Sequence, residues 1–138
     1  MLVAYDGRWL LGVRGPGVDY APGSLGLIGG HVDAADAGPD VLRATVRREL
    51  REETGVDLTG STLDYLESAL FEDGTATQLT VTFVATAPAG VEAEVRAPAE
   101  LTEVGWWSVA EAAAHPRCPA WLPPLLERAG RYRVDGLS

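Results

Sequence analysis

The sequence has no lysine, a single cysteine and no long hydrophobic segment. All 11 basic residues are arginine, and with 20 acidic residues the net charge is −9. Such an acidic chain is a poor non-specific ligand for nucleic acids or anionic membranes, because basic side chains must neutralise those surfaces. The lone Cys118 excludes an internal disulfide and a thiolate metal cluster. The apolar runs are too short to span a membrane.

The length of 138 residues predicts one domain over residues 1–138, with a core large enough to need no disulfide. Hydrophobic residues make up 46% and charged residues 22%, which is typical of globular proteins. The first residues contain neither a basic segment nor a long apolar one, so no signal peptide is apparent. Together with the scarcity of cysteine, this favours a cytoplasmic location.

Alternating strand and helix signals predict an α+β fold. Asp6-Gly7 is a hairpin turn signal within residues 2–14, and Asp73-Gly74 is a second one, between strand-like residues 63–72 and 76–86. Four further elements are predicted later in the chain: an edge strand at 91–96, a strand at 104–107, and helices at 109–115 and about 120–129.

The best-defined helix runs from residue 40 to residue 54. Asp40 suits the N-cap, and Gly55 suits the position that ends the helix. Glu49, Glu52 and Glu53 share one side of this helix. Three crowded carboxylates suit a divalent cation such as Mg²⁺ or Mn²⁺, but the spacing alone is more typical of a solvated face balanced by neighbouring arginines.

A longer pattern changes that interpretation. Residues 48–56 read RELREETGV, and this run resembles the second half of the Nudix box. The stretch from Gly29-Gly30 to Asp33 resembles the start of the box. Residues 106–111 are similar to the aromatic-then-helix element late in the family. The resemblance implies a Nudix-type mixed β-sheet sandwiched between helices.

The spacing departs from the usual box at one point. The family has an acid six residues after the glycine, and seven residues then precede the arginine. Asp36 satisfies the first spacing and Asp40 the second, so the loop after Gly30 carries a four-residue insertion. In either case aspartate replaces the usual glutamate. The sequence does not decide whether Asp36 or Asp40 stands at the position of the family's glutamate.

The resemblance also assigns roles to residues of the box. Glu52 and Glu53 correspond to the principal ligands of Mg²⁺ or Mn²⁺, and Glu49 completes the metal site or orients water. The Gly30 carbonyl is carried over as a backbone ligand, and Arg48 as the residue that orients a glutamate. Glu49, Glu52 and Arg48 are therefore the expected catalytic residues.

The catalytic base varies within the family and can lie in a later loop. Glu100 and Glu103 are the acids available there. Arg14, His31 and Glu103 are our candidates for substrate contacts. A surface role explains Arg14 equally well, and a loop hydrogen bond explains His31 better than a substrate contact does.

Glu67 and Glu72 lie on the middle strands, where they either line the cleft or keep a sheet edge soluble.

The resemblance implies an enzyme that hydrolyses the diphosphate bridge of a nucleoside diphosphate linked to another group. The alternative is a Nudix-fold nucleotide-binding or regulatory protein with weak or no turnover. We expect a small nucleotide-type substrate, no nucleic-acid polymer and no membrane. The oligomeric state is open, and a homodimer is the alternative to a monomer. The sequence does not choose the nucleoside diphosphate derivative.

Overall fold

The computed structural model describes residues 1–74 and 76–136. The elements in chain order are β1 (Leu2–Tyr5), β2 (Arg8–Arg14), β3 (Leu25–Gly26), α1 (Val41–Thr54), β4 (Asp64–Asp73), β5 (Ala76–Thr86), β6 (Leu101–Trp107), α2 (Val109–Ala114) and α3 (Leu122–Gly136).

The six strands of the described chain form one mixed sheet, in the order β3-β2-β1-β5-β4, and β6 pairs with β2 outside this path. Only β1 and β5 run parallel among the described pairings. β1 pairs with β2 at Arg8 and Trp9, whereas β3 pairs with β2 further along, at Gly12 and Val13. β3 therefore lies beyond the end of β1 and leaves a gap on the way to the β4–β5 hairpin.

Helices cover both faces of this sheet. Val46 and Leu50 of α1 pack with Val3 and other side chains of one face. The opposite face, which includes Leu2, packs against α2 and α3 through Leu126 and its neighbours. Consecutive residues such as Leu2 and Val3 enter different cores because side chains alternate along a strand. The predicted sheet between helices is confirmed. None of the helices in the described ranges is long and apolar enough to cross a membrane.

The predicted turn at Asp6-Gly7 and the predicted ends of α1 are confirmed, whereas the last helix extends from Leu122 to Gly136 and not only to about residue 129. Asp6 and Gly7 both have positive φ angles, 51° and 73°, as a two-residue hairpin with a type I′ turn requires. The Asp40 side chain accepts a hydrogen bond from the Arg43 N–H and caps α1. Gly55 ends the helix with a φ of 77°, a left-handed conformation that glycine adopts at little cost.

The prediction of an edge strand over residues 91–96 is wrong. The N–H groups of Glu94 and Arg96 donate to the carbonyls of Thr54 and Glu53, over 3.0 and 2.9 Å. This segment therefore binds the end of α1 rather than a strand. Alternation of polar and apolar residues cannot separate the two cases, because a loop that lies over a core also alternates.

Candidate active site

The helix α1 carries the acidic residues of the candidate site. Buried Leu50 and Val46 fix the rotation of the helix about its axis. Glu49 and Glu53 lie one turn apart and are neighbours on the helix surface. Glu53 is only 4% exposed, whereas the Glu52 side chain is 57% exposed. The helix therefore turns Glu49 and Glu53 towards the protein and Glu52 towards solvent.

A third carboxylate, that of Glu100, joins Glu49 and Glu53. One carboxylate oxygen from each of the three residues lies within 4.8 Å of the other two. Glu100 directly precedes β6, and its carbonyl accepts a 2.7 Å hydrogen bond from the N–H of Gly15. The bond from the Arg96 N–H to the Glu53 carbonyl holds the same loop against α1. We call Glu49, Glu53 and Glu100 the acidic cluster.

The surroundings of Glu49 and Glu53 disfavour their charged forms. Burial raises the pKa of Glu53 to about 9, and a hydrogen bond with Glu100 and the charge of Glu49 add to the rise. Burial also raises the pKa of Glu49, although Arg48 opposes this. Carboxylates this close resist ionising together unless a positive charge compensates them. Their oxygen atoms are ligands that suit Mg²⁺ or Mn²⁺.

The double glycine lies against the same carboxylates. The Gly29 N–H donates a hydrogen bond to Glu53 and so opposes the rise in its pKa. A Cβ atom added at Gly30 would lie 2.5 Å from the carboxyl carbon of Glu49. A side chain at position 30 would therefore displace Glu49. The role of the Gly30 carbonyl as a metal ligand stays a prediction.

Arg48 holds the acids of the site in position. Its Nη1 donates to Glu49 Oε1 over 2.9 Å and to Glu52 Oε2 over 3.1 Å. Its Nε and Nη2 grip both oxygens of Asp36, over 2.7 and 3.0 Å, and Nη2 also donates to the His31 carbonyl. A planar guanidinium suits such bidentate contacts. Arg48 thus connects the loop after the double glycine to two glutamates of α1.

The two candidate aspartates differ clearly in their surroundings. The Asp36 side chain is only 3% exposed, and Arg48 holds its pKa well below the usual range, with help from the Thr45 hydroxyl 2.9 Å away. Asp40 instead caps α1 and pairs with Arg43 at 2.9 Å. Asp36 is therefore the partner of the box arginine. The four inserted residues lie between Asp36 and Arg48.

The three predicted substrate contacts fall at different places. Arg14 ends β2, and its Nε donates to the Tyr20 carbonyl over 2.6 Å. The side chain of His31 is exposed. Glu103 is exposed on β6 opposite Val13, and the acidic cluster found in the described ranges does not include it.

A cavity of about 450 Å³ lies where β3 diverges from the β4–β5 hairpin. Its walls carry mostly apolar and aromatic side chains and a few charged ones, including Tyr20, Leu27, Phe71, Trp121, Arg14, Glu67 and Arg128. The rings of Tyr20 and Phe71 lie 5.5 Å apart. Two lining residues are close in sequence to residues that contact members of the acidic cluster. Arg14 precedes Gly15, whose N–H binds the Glu100 carbonyl, and Leu27 is two residues before Gly29, whose N–H binds Glu53.

Sequence reasoning did not single out Tyr20, Phe71, Trp121 or Arg128 as lining residues. Tyr20 lies in a loop and Phe71 on β4, whereas Trp121 directly precedes α3 and Arg128 lies on it. No short motif connects these positions. The only available signal was the exposed aromatic content of loops beside predicted strands, which is too general to define a cavity.

A mixed sheet flanked by helices, with the box sequence on α1, is the fold of the Nudix class. A family model described as the NUDIX domain matches residues 1–129. The chain therefore belongs to the Nudix family. No curated protein matches it.

Solved structures with the same fold include several hydrolases. A MutT NUDIX hydrolase from Burkholderia pseudomallei is 26% identical, with 92% of each chain covered and a TM-score of 0.68. The NUDIX domain of Shewanella oneidensis NrtR, complexed with ADP ribose, is 25% identical over 96% of this chain and 82% of that one, with a TM-score of 0.73. An Ap4A hydrolase from C. elegans, 17% identical over 96% and 92%, has a TM-score of 0.72 and shows the fold alone.

Proposed function

We propose that this protein is a metal-dependent hydrolase of the phosphoanhydride bond in nucleoside diphosphate derivatives. The observation that carries the proposal is the acidic cluster of Glu49, Glu53 and Glu100. A separate cavity with aromatic walls is our candidate for the nucleoside site. Membership of the Nudix family and the MutT hydrolase similarity support a hydrolase. The ADP ribose bound to the NrtR domain supports a nucleotide-type ligand.

We propose Mg²⁺ or Mn²⁺ as the cofactor. The donor set fits, because Glu49, Glu53 and Glu100 offer oxygens within 4.8 Å of one another, and burial leaves the charges of Glu49 and Glu53 poorly solvated. The Gly30 carbonyl and the solvent-facing Glu52 are the further ligands that the resemblance supplies. When bound, the cation neutralises diphosphate oxygens and lowers the pKa of bound water.

The chain's own residues then position the water and hold its proton. Glu49 is our assignment for the group that accepts the proton, because Arg48 fixes it through a 2.9 Å hydrogen bond. The water oxygen bonds to phosphorus, the bond from phosphorus to the bridging oxygen breaks, and the bridging oxygen leaves on the second phosphate. Arg48 also orients Glu52, so both glutamates lose their alignment if this guanidinium is removed.

The cavity is the proposed site for the nucleoside portion. Tyr20, Phe71 and Trp121 provide ring faces on which a base can stack. Arg14 lies on the cavity wall next to Gly15, whose N–H binds the Glu100 carbonyl. Arg14 is therefore our candidate for binding a phosphate of the substrate.

Hydrolysis of a panel of nucleoside diphosphate derivatives with Mg²⁺, followed by phosphorus NMR, tests the proposal. We expect two phosphorylated products, no turnover in a chelator, and loss of turnover in Glu49→Gln. The matched control is Glu94→Gln, which removes an exposed acid that pairs with Arg96 outside the acidic cluster. Turnover that is unchanged in Glu49→Gln would contradict the proposal.

A nucleotide-binding protein with little turnover is the second candidate. The four-residue insertion between Asp36 and Arg48 favours it, because this insertion changes the box loop next to the Gly30 backbone. Tight binding of a nucleoside diphosphate derivative with Mg²⁺, without products, would identify this function.

We also propose one domain over residues 1–138, of which residues 1–129 match the family model. The cytoplasmic location and a homodimer stay predictions, which cell fractionation and sedimentation would check.

A further inference from the structure

Glu67 reaches the cavity because of an irregularity in β4. The register between β4 and β5 shifts between Tyr65, which pairs with Phe83, and Glu67, which pairs with Thr82. Leu66 is the extra residue of this β-bulge. Without the bulge, Glu67 would lie on the same face as Tyr65, since side chains alternate along a strand. The bulge turns it to the opposite face, where Leu66 packs against the α3 side.

Glu67 is chemically unusual in this cavity. Among the described residues that line the cavity it is the only acid. Its Oε1 accepts a 2.9 Å hydrogen bond from Nη2 of Arg128 on α3, and the two side chains are 37% and 46% exposed. A carboxylate has about four acceptor positions on its two oxygens. Arg128 therefore leaves Glu67 able to accept hydrogen bonds from a ligand.

This pair offers a defined pattern of hydrogen bonds beside ring faces. Arg128 donates to Glu67. The remaining acceptor positions of the carboxylate can accept from two adjacent N–H groups of a ligand, and the other N–H groups of the guanidinium can donate to a carbonyl oxygen or a ring nitrogen. Guanine is the common nucleobase that presents a ring N–H and an amino group next to a carbonyl oxygen. Adenine, cytosine and uracil each lack at least one of these three groups.

We propose that Glu67 and Arg128 are specificity-determining residues that select a guanine-type base, a purine with a 2-amino and a 6-oxo group. This inference rests on the proposed function in that the same cavity receives the nucleoside. It adds the identity of the base, which neither the family nor the acidic cluster fixes.

Titration calorimetry with guanosine, inosine and adenosine monophosphates tests the inference. We expect guanosine monophosphate to bind roughly tenfold to a hundredfold more tightly than adenosine monophosphate, the range for a good bidentate contact with a base. Inosine monophosphate, which lacks the 2-amino group, should fall between them. Equal affinities, or no binding of any of the three, would overturn the inference.

Two variants test the residues directly. Glu67→Gln replaces an acceptor with a donor and should abolish the preference for guanosine monophosphate. Glu72→Gln makes the same change at an exposed position of β4 outside the cavity lining and should retain the preference. A preference that survives Glu67→Gln would overturn the inference. If Glu67→Gln does not fold by circular dichroism, the comparison of guanosine with inosine monophosphate on the unmodified protein decides alone.

Hydrolysis of ADP-, GDP-, CDP- and UDP-glucose separates this inference from the proposed function. Equal cleavage of all four compounds would overturn the base selectivity and leave the hydrolase proposal standing. Selective binding of guanosine monophosphate with no cleavage of any compound would support the base selectivity and contradict the hydrolase proposal.

Discussion

Replacement of Glu53 by glutamine should separate the stability of the protein from its function. The folded-state pKa of Glu53 is about 9, against an ordinary value of 4.5, mainly because of burial. The folded protein therefore holds this proton more tightly than the unfolded chain does. The favourable contribution to the free energy of unfolding is complete below about pH 4.5, declines as the pH rises, and is lost by about pH 9.

The size of this decline follows from the pKa difference. One pKa unit corresponds to about 1.4 kcal/mol, so a rise from about pH 5 to about pH 8 lowers the free energy of unfolding by at most about 4 kcal/mol. Glutamine does not titrate, so this decline should be absent in Glu53→Gln. Urea unfolding at both pH values in a chelator measures it.

The same substitution should weaken Mg²⁺ binding and turnover. Mg²⁺ should raise the melting temperature of the unmodified protein at about pH 8, because binding to the folded state stabilises it. The same addition should leave Glu53→Gln unchanged, with turnover reduced about a hundredfold or more. Glu127→Gln, an exposed acid on α3, is the matched control and should behave as the unmodified protein. Identical pH dependence and Mg²⁺ stabilisation in Glu53→Gln would refute this reasoning.

Three further predictions follow from contacts of the box and of α2. Gly30→Ala should raise the Mg²⁺ concentration needed for half-maximal activity at least about tenfold, because its Cβ would overlap the Glu49 carboxyl group; an unchanged metal titration would contradict this. Asp36→Ala should lower the urea concentration at the midpoint of unfolding, because it leaves Arg48 without its bidentate partner, and an unchanged midpoint would count against it. Ser108→Ala should cost about 1 kcal/mol, measured in the same way, through the α2 capping box; a change in turnover would be unexpected.

Local patterns made the box helix predictable. Asp40, Gly55 and the apolar stripe of α1 act within a few residues of one another, so the sequence alone indicates where the helix begins and ends. It did not separate Glu52, which faces solvent, from Glu53, which is buried. The hairpin at Asp6-Gly7 was predictable for the same reason.

The rest of the site depends on contacts between distant segments. Glu100 meets α1 because of backbone bonds to Gly15 and the path of the chain after Arg96, and the sequence offered Glu103 equally. Arg48 binds Asp36 rather than Asp40 because of the conformation of a loop of unusual length. These choices are made by tertiary packing, which residue spacing does not encode.

The cavity is the feature that the sequence predicts least well. Its walls exist because β3 and the β4–β5 hairpin pair with different parts of the sheet, and Glu67 lines it only because a bulge changes the alternation of β4. The sequence suggested that Glu67 and Glu72 either line the cleft or lie at an exposed sheet edge. In the structure Glu67 lines the cavity, whereas Glu72 is exposed and lies outside its lining.

The location of bound Mn²⁺ tests the central claim most directly. A crystal grown with Mn²⁺ and a non-hydrolysable nucleoside diphosphate analogue would give an anomalous difference map at the manganese absorption edge. We predict a peak between the carboxylates of Glu49, Glu53 and Glu100, with the diphosphate beside it. Ordered diphosphate with no manganese peak at these three residues would contradict the account.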